Sequence, residues 1–152
     1  MRKLVVASST YNSAGMHSEA LPAFEAISPE MFEGTPGNAE YLRVAPNPDD
    51  FPTLVEKIKA ANLSPRDWPA NAIKAIQAPT LIIAGDSDGV TPEHLVEMFR
   101  LRGGGVFGDL AGLPASQLAI LPGTSHIGVH ERADWIVPMI TAFLDAPMPE
   151  SA

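Results

Sequence analysis

Two separated stretches end in side chains that can hold and move a proton. Pro79–Asp88 (PTLIIAGDSD) runs from an apolar segment into a carboxylate, and Leu118–His126 (LAILPGTSH) runs from a similar segment into an imidazole. A carboxylate that accepts the Nδ1–H of a histidine fixes the ring's tautomer and leaves Nε2 as a general base near neutral pH. Acid before histidine is also the chain order of the last two members of one kind of serine–acid–histidine relay. The first member, a serine in a Gly-x-Ser-x-Gly turn, is absent. Each residue also has a plainer reading. Asp88 can be a turn aspartate and His126 a loop histidine bonded to backbone. Asp86 competes with Asp88 as the acid, and its place beside Gly85 and Ser87 reads better as a loop anchor.

For such side chains to meet, both segments must be parallel strands in one sheet, with their carboxyl ends at the same rim. The sequence supports this. Thr80–Ala84 (TLIIA) is apolar on both faces, as a strand covered above and below must be. Lys3–Ser8 (KLVVAS) has the same two-faced character and suits a central strand. Gln117–Leu121 makes a third. Gly85 is expected to release the chain sharply from its strand, and Pro122 and Gly123 to end theirs. Between strands lie helices. Pro92–Leu101 places Leu95, Met98 and Phe99 on one side, and Val129–Leu144 places Trp135, Ile136, Met139, Ile140 and Phe143 inward. Alternating strand and helix argues for an α/β parallel sheet with crossover helices.

The stretch from Met16 to Ile76 has a different texture. Pro22, Pro29 and Pro36 break its first part. Ser28-Pro29 resembles a helix start, a helix is expected from Asp49 to Ala61, and another from Ser64 (N-cap) and Pro65 (N1), bent at Pro69. We expect four parts: residues 1–15, a strand of the core sheet; 16–76, a helical cap-like insertion of the kind that often roofs an α/β site; 77–146, the main α/β core; and 147–152, a frayed tail. A chain that opens on so buried a strand reads as starting in the middle of a larger fold.

The totals narrow the function. The chain has 152 residues, 45% hydrophobic and 18% charged, which suits one globular domain. A net charge of −8 argues against nucleic acid and anionic membrane, which need a basic footprint. The absence of cysteine removes disulfides, thiolate metal sites and a cysteine nucleophile. No apolar run approaches the roughly 20 residues that cross a bilayer, and a cytoplasmic location is expected. Gly103–Gly108 formally spells Gly-x-Gly-x-x-Gly, but it follows a helix and opens none, so no dinucleotide is expected there. His126 and His130 share a metal-like spacing without the glutamate that would follow, so no metal or other cofactor is expected.

Taken in order, IQAPTLIIAGDSDGVTPEHLVEMFRL and SQLAILPGTSHIGVHERADWIVPMITAFLDAP resemble the carboxyl-terminal part of α/β-hydrolase-fold enzymes. RKLVVASSTYNSAG resembles the strand after their nucleophile helix, and the stretch between resembles their cap. The resemblance implies a partial hydrolase fold: about three parallel strands, flanking helices and a cap segment. It implies Asp88 as the acid and His126 as the base of a Ser-His-Asp acyl transfer on an ester-like small molecule. The half that would carry the serine is not in this sequence, so we expect a fragment inactive alone. Two alternatives stand beside it. One is a non-catalytic binding or interaction module. The other is a minimal esterase using Ser13, which follows a strand within Tyr11-Asn12-Ser13-Ala14-Gly15, although Tyr11 fills the place of the first glycine. An uncovered edge on the first strand also predicts self-association.

Overall fold

The computed structural model describes residues 2–64 and 67–148. The chain forms two compact units, one from residues 1–17 and 66–152, the other from residues 18–65.

The first unit is built on a parallel sheet in the order β1 (Leu4–Ala7), β2 (Thr80–Ser87), β3 (Ser116–Ser125). The middle strand β2 alternates its side chains between two apolar cores. Ile82 and Ala84 pack on one face with Tyr11, Val90, Leu95 and Met98. Leu81 and Ile83 pack on the other with Leu121, Val129, Ile136 and Phe143. This two-sided burial explains the unbroken apolar run, since a strand covered above and below has no solvent face to leave polar. The apolar run of β1 suits a central strand, one edge of which is expected to be uncovered. Among the described residues β1 pairs with β2 alone and stands at the sheet edge, with Leu4, Val5 and Val6 half-buried.

Two helices cover the faces. α5 (Pro92–Leu101, the fifth helix in chain order) starts where the sequence signals it, with the Thr91 hydroxyl accepting from the His94 N–H and Pro92 in the first turn. α7 (Ala133–Asp145) covers the opposite face. It begins later than Val129, because Gly128–Arg132 forms a separate 3₁₀ turn. Trp135 is not inward: it is 40% exposed, and the Arg132 guanidinium lies 4.8 Å from its ring centroid. Such stacking satisfies an aromatic ring at the surface without burying it. The Lys3 ammonium donates to the Phe143, Leu144 and Ala146 carbonyls, which ties the start of β1 to the helix's carboxyl end, where positive charge is favoured.

The smaller elements refine other expectations. α4 (Ala70–Lys74) begins after Pro69; the proposed N1 residue Pro65 lies outside the described residues, as do residues 149–152 of the tail. The glycine-rich loop from Gly103 to Pro114 contains a short helix α6 (Gly108–Ala111). The second unit holds α1 (Ala20–Ala26), α2 (Pro36–Val44) and α3 (Phe51–Leu63), the last preceded by a 3₁₀ turn at Pro48–Asp50. Ser28-Pro29 opens a 3₁₀ turn, not an α-helix. Phe32 and Tyr41 pack against Phe51, with ring centroids 6.2 and 5.3 Å away. Among the described residues no helix is long and apolar enough to cross a membrane.

Candidate active site

Asp88 and His126 meet because of an irregularity in strand pairing. β2 and β3 run in simple register from Thr80 opposite Ser116 to Gly85 opposite Leu121. The next pair is Ser87 opposite Ser125, so two steps along β2 match four along β3. Without this bulge the residue opposite Asp88 would be Thr124. With it, His126 takes that place. Pro122 and Gly123 make the bulge possible: proline needs no ladder hydrogen bond there, and Gly123 adopts a left-handed φ of 58°. β3 therefore continues to Ser125 and does not end at Pro122-Gly123, as the sequence suggested.

Two residues hold the bulge in place. The Asp86 carboxylate accepts the backbone N–H groups of Gly123 (2.9 Å) and Thr124 (3.1 Å). These bonds to the charged form, Gly123 first, keep its carboxyl below the ordinary range. Asp86 is thus the loop anchor. Gly85 sits inside β2, not at its exit, and a Cβ built there would lie 1.8 Å from the Thr124 carbonyl oxygen. Only glycine allows the bulged strand so near.

The result is a directed pair. His126 Nδ1 stands 2.9 Å from Asp88 Oδ1. The Asp88 side chain is fully buried, whereas that of His126 is 58% exposed. Asp88 Oδ1 also accepts the Val90 N–H at 3.2 Å. Burial is the largest influence on this carboxyl and pushes its pKa up. The Ser8 hydroxyl, the His126 ring, the Val90 N–H and the charge of His126 together outweigh it, and the pKa lies below the ordinary carboxylate value. An ionised acid at Nδ1 requires the proton on that nitrogen, leaving Nε2 with a lone pair. An imidazole so arranged can accept a proton at Nε2 while the buried carboxylate stabilises the imidazolium.

The other candidates sit elsewhere. The Ser13 hydroxyl donates to Asp67 Oδ2 (3.0 Å), and its N–H to Asp67 Oδ1 (2.7 Å). Ser13 is therefore bonded to a carboxylate and not to His126. Tyr11 is a core residue: its ring stacks on His94 at 4.6 Å and its hydroxyl donates to Glu97 Oε1 at 2.6 Å. His130 is exposed in the Gly128–Arg132 turn. Among the described residues no group of three or more His, Asp or Glu side chains could hold a metal ion. Sequence reasoning missed His94, which is 4% exposed, accepts the Tyr11 N–H at Nε2 (3.4 Å) and places Nδ1 3.3 Å from Glu97. It also missed a cavity of about 360 Å³ on the α5 side, lined by Leu4, Val6, Tyr11, Ile73, Met98 and Arg102 among others.

No family model matches this sequence, and no curated protein matches it. Solved structures do. A 2-hydroxy-6-oxo-6-phenylhexa-2,4-dienoate hydrolase from Rhodococcus is similar over 95% of this chain and 56% of its own, with TM-score 0.58 and 18% identity. A meta-cleavage product hydrolase from Pseudomonas fluorescens is similar over 95% and 56%, with TM-score 0.55 and 17% identity. An α/β-hydrolase enzyme from a deep-sea metagenome library is similar over 99% and 58%, with TM-score 0.56 and 14% identity. At these identities the likeness is one of fold: the chain has part of the α/β-hydrolase fold and spans just over half the length of these structures.

Proposed function

We propose that this chain is the acid–base half of an ester-type hydrolase, with Asp88 as the acid and His126 as the general base, and that it is inactive alone. The supporting observation is the Nδ1–Oδ1 contact of 2.9 Å between a buried carboxylate and an exposed imidazole. In this reading His126 Nε2 takes the proton of a serine hydroxyl as its oxygen attacks an ester carbonyl. The same proton then passes to the departing alkoxide as the tetrahedral intermediate collapses to an acyl-serine. Water attacks the acyl group in turn, giving a proton to Nε2; as the second tetrahedral intermediate collapses, the bond to the serine oxygen breaks, that proton passes from Nε2 to the oxygen, and the carboxylic acid leaves. Asp88 remains ionised throughout and stabilises the imidazolium. The structural neighbours named as hydrolases favour a small carbonyl substrate, and we assign the chain to the cytoplasm.

The test is hydrolysis of p-nitrophenyl esters. The chain alone gives no turnover. Adding a separate polypeptide that carries the serine-bearing strands of an α/β-hydrolase gives turnover that His126→Ala and Asp88→Asn abolish. Turnover indifferent to His126 defeats the proposal. Turnover by the chain alone, lost in both Ser13→Ala and His126→Ala, assigns the nucleophile to Ser13 instead.

A second reading is a non-catalytic binding module, and the apolar cavity beside Tyr11 and Met98 favours it. A small apolar ligand that raises the melting temperature of a chain without turnover supports it. Under either reading β1 pairs with β2 alone among the described residues, and its outer edge is a template for strand addition. We propose self-association through that edge. Light scattering on the eluting protein should show dimers or larger species, and a stable monomer at high concentration refutes this.

A further inference from the structure

Ser8, the residue after β1, has φ +48°, and among the described residues it is the one non-glycine residue with a left-handed backbone. A side chain in that region is strained, and such strain persists only where surrounding structure fixes it. Here the Ser8 N–H donates to the Ile83 carbonyl at 2.8 Å, carrying the β1–β2 ladder one residue past the strand. The Ser8 hydroxyl is buried and makes no hydrogen bond to any other group. Asp88 Oδ2 is buried in the same condition, while Oδ1 is already engaged by His126 and the Val90 N–H. A buried carboxylate oxygen without a donor is costly, as is a buried hydroxyl without an acceptor. Two such orphans at the ends of neighbouring strands are each other's remedy.

We propose that Ser8 is a positioning residue for the acid: its hydroxyl donates to Asp88 Oδ2 and holds Oδ1 turned toward His126. This rests on the reading of Asp88 and His126 as an acid–base pair. The hydroxyl lowers the carboxyl's pKa against the effect of burial, while both atoms stand buried and without a hydrogen-bond partner in this structure. Among the described residues the one charged group that acts on Asp88 is His126, so the hydroxyl's effect can be separated from that of other ionisable groups. The left-handed backbone then has a purpose. Glycine would relieve the strain at Ser8 but would leave the inner carboxylate oxygen without a donor.

The experiment follows the Asp88 carboxyl carbon by NMR through an acid titration of the full chain, in the unaltered protein and in Ser8→Gly, Ser8→Ala and His126→Ala. The proposal expects an upward shift of the Asp88 midpoint in Ser8→Gly, and a weakened Nδ1–H proton signal of His126. Ser8→Ala should show the same shift where it folds; Ser8→Gly carries the test if the strained backbone does not tolerate alanine. An Asp88 midpoint and a His126 signal unchanged in Ser8→Gly overturn the proposal, because a purely conformational role is fully met by glycine. The His126→Ala arm tests the pair itself. An Asp88 midpoint unmoved by that change removes the acid–base reading, whereas a midpoint moved by His126→Ala but not by Ser8→Gly removes only the role of Ser8.

Discussion

The substitution Gly85→Ala tests whether the spacing of β2 and β3 sets the candidate site. The added Cβ would stand 1.8 Å from the Thr124 carbonyl oxygen and 2.5 Å from its carbon. An ordinary C···O approach is about 3.3 Å, so the strands must part by about 1.5 Å at this point. The neighbour is backbone, and the two Asp86 hydrogen bonds hold it, so no side-chain rotation relieves the clash. Overpacking costs about 1–3 kcal/mol even where side chains can adjust. Opening one or two ladder hydrogen bonds adds about 1 kcal/mol each. The expected loss is therefore about 2–5 kcal/mol, or a melting temperature lower by roughly 4–20 °C in a domain of this size.

The site should register the same displacement. Ser87 opposite Ser125 is the last pair before Asp88 and His126, so parting the strands at Gly85 lengthens the Nδ1–Oδ1 contact. Thermal unfolding reads the first effect, and the low-field Nδ1–H proton resonance of His126 reads the second. Gly89→Ala is the control, since a Cβ at Gly89 meets nothing within 4 Å. It should alter stability by no more than about 0.5 kcal/mol. If Gly85→Ala melts with the unaltered protein and keeps that resonance, the close approach at Thr124 does not fix the site.

Three further outcomes are expected. Asp88 has its folded pKa below the ordinary 3.8, so the stability it contributes is full above that value and is lost as pH falls through the folded pKa. Acid unfolding followed below about pH 4 should be less steep in Asp88→Asn than in the unaltered chain; parallel curves contradict this. Burial pushes the His94 pKa below 6.5, against the opposing pull of Glu97, so its contribution is full above 6.5 and declines as pH drops toward the folded value. Urea midpoints between about pH 5 and pH 8 should fall toward acid in the unaltered chain, and part of that slope should vanish in His94→Gln. The Arg102 guanidinium donates to the Ile73, Lys74 and Ala78 carbonyls and to the Thr80 hydroxyl. Arg102→Met keeps the apolar stem and removes these bonds, costing about 2–4 kcal/mol in urea unfolding. A loss below about 0.5 kcal/mol would show that water replaces them.

The strands and the two catalytic candidates were legible because they obey local rules. Thr80–Ala84 is apolar at every position since β2 is covered on both faces, and Thr91-Pro92 is an N-cap followed by N1. The features that bring Asp88 and His126 together were not legible in the same way. Pro122-Gly123 signals a break, and nothing local distinguishes a strand end from a bulge; the difference is made by Asp86, 37 residues earlier than Gly123. Gly85 was read for its conformational freedom, but it matters for the backbone that passes beside it. His94 and Tyr11 lie 83 residues apart, and no periodicity links them. The two-faced apolar run of β1 reads as a central strand, and the uncovered edge expected on it agrees with its pairing to β2 alone among the described residues.

These long-range contacts share a direction. Asp88 is held by Val90 within its own loop, and the Ser8 hydroxyl after β1 lowers its pKa; His126 is delivered by a bulge that Gly85 and Asp86 fix from β2. Every one of these residues belongs to the unit formed by residues 1–17 and 66–152. The geometry of the acid and base is therefore determined within that unit, by strand spacing and buried hydrogen bonds, and a nucleophile is not among its supports. On the proposed reading this separates two questions that a single activity assay would merge. A chain that shows no turnover but retains the Nδ1–H resonance has an intact pair and lacks only its attacking group. A chain that has lost the resonance has lost the pair, and no added serine would restore catalysis through it.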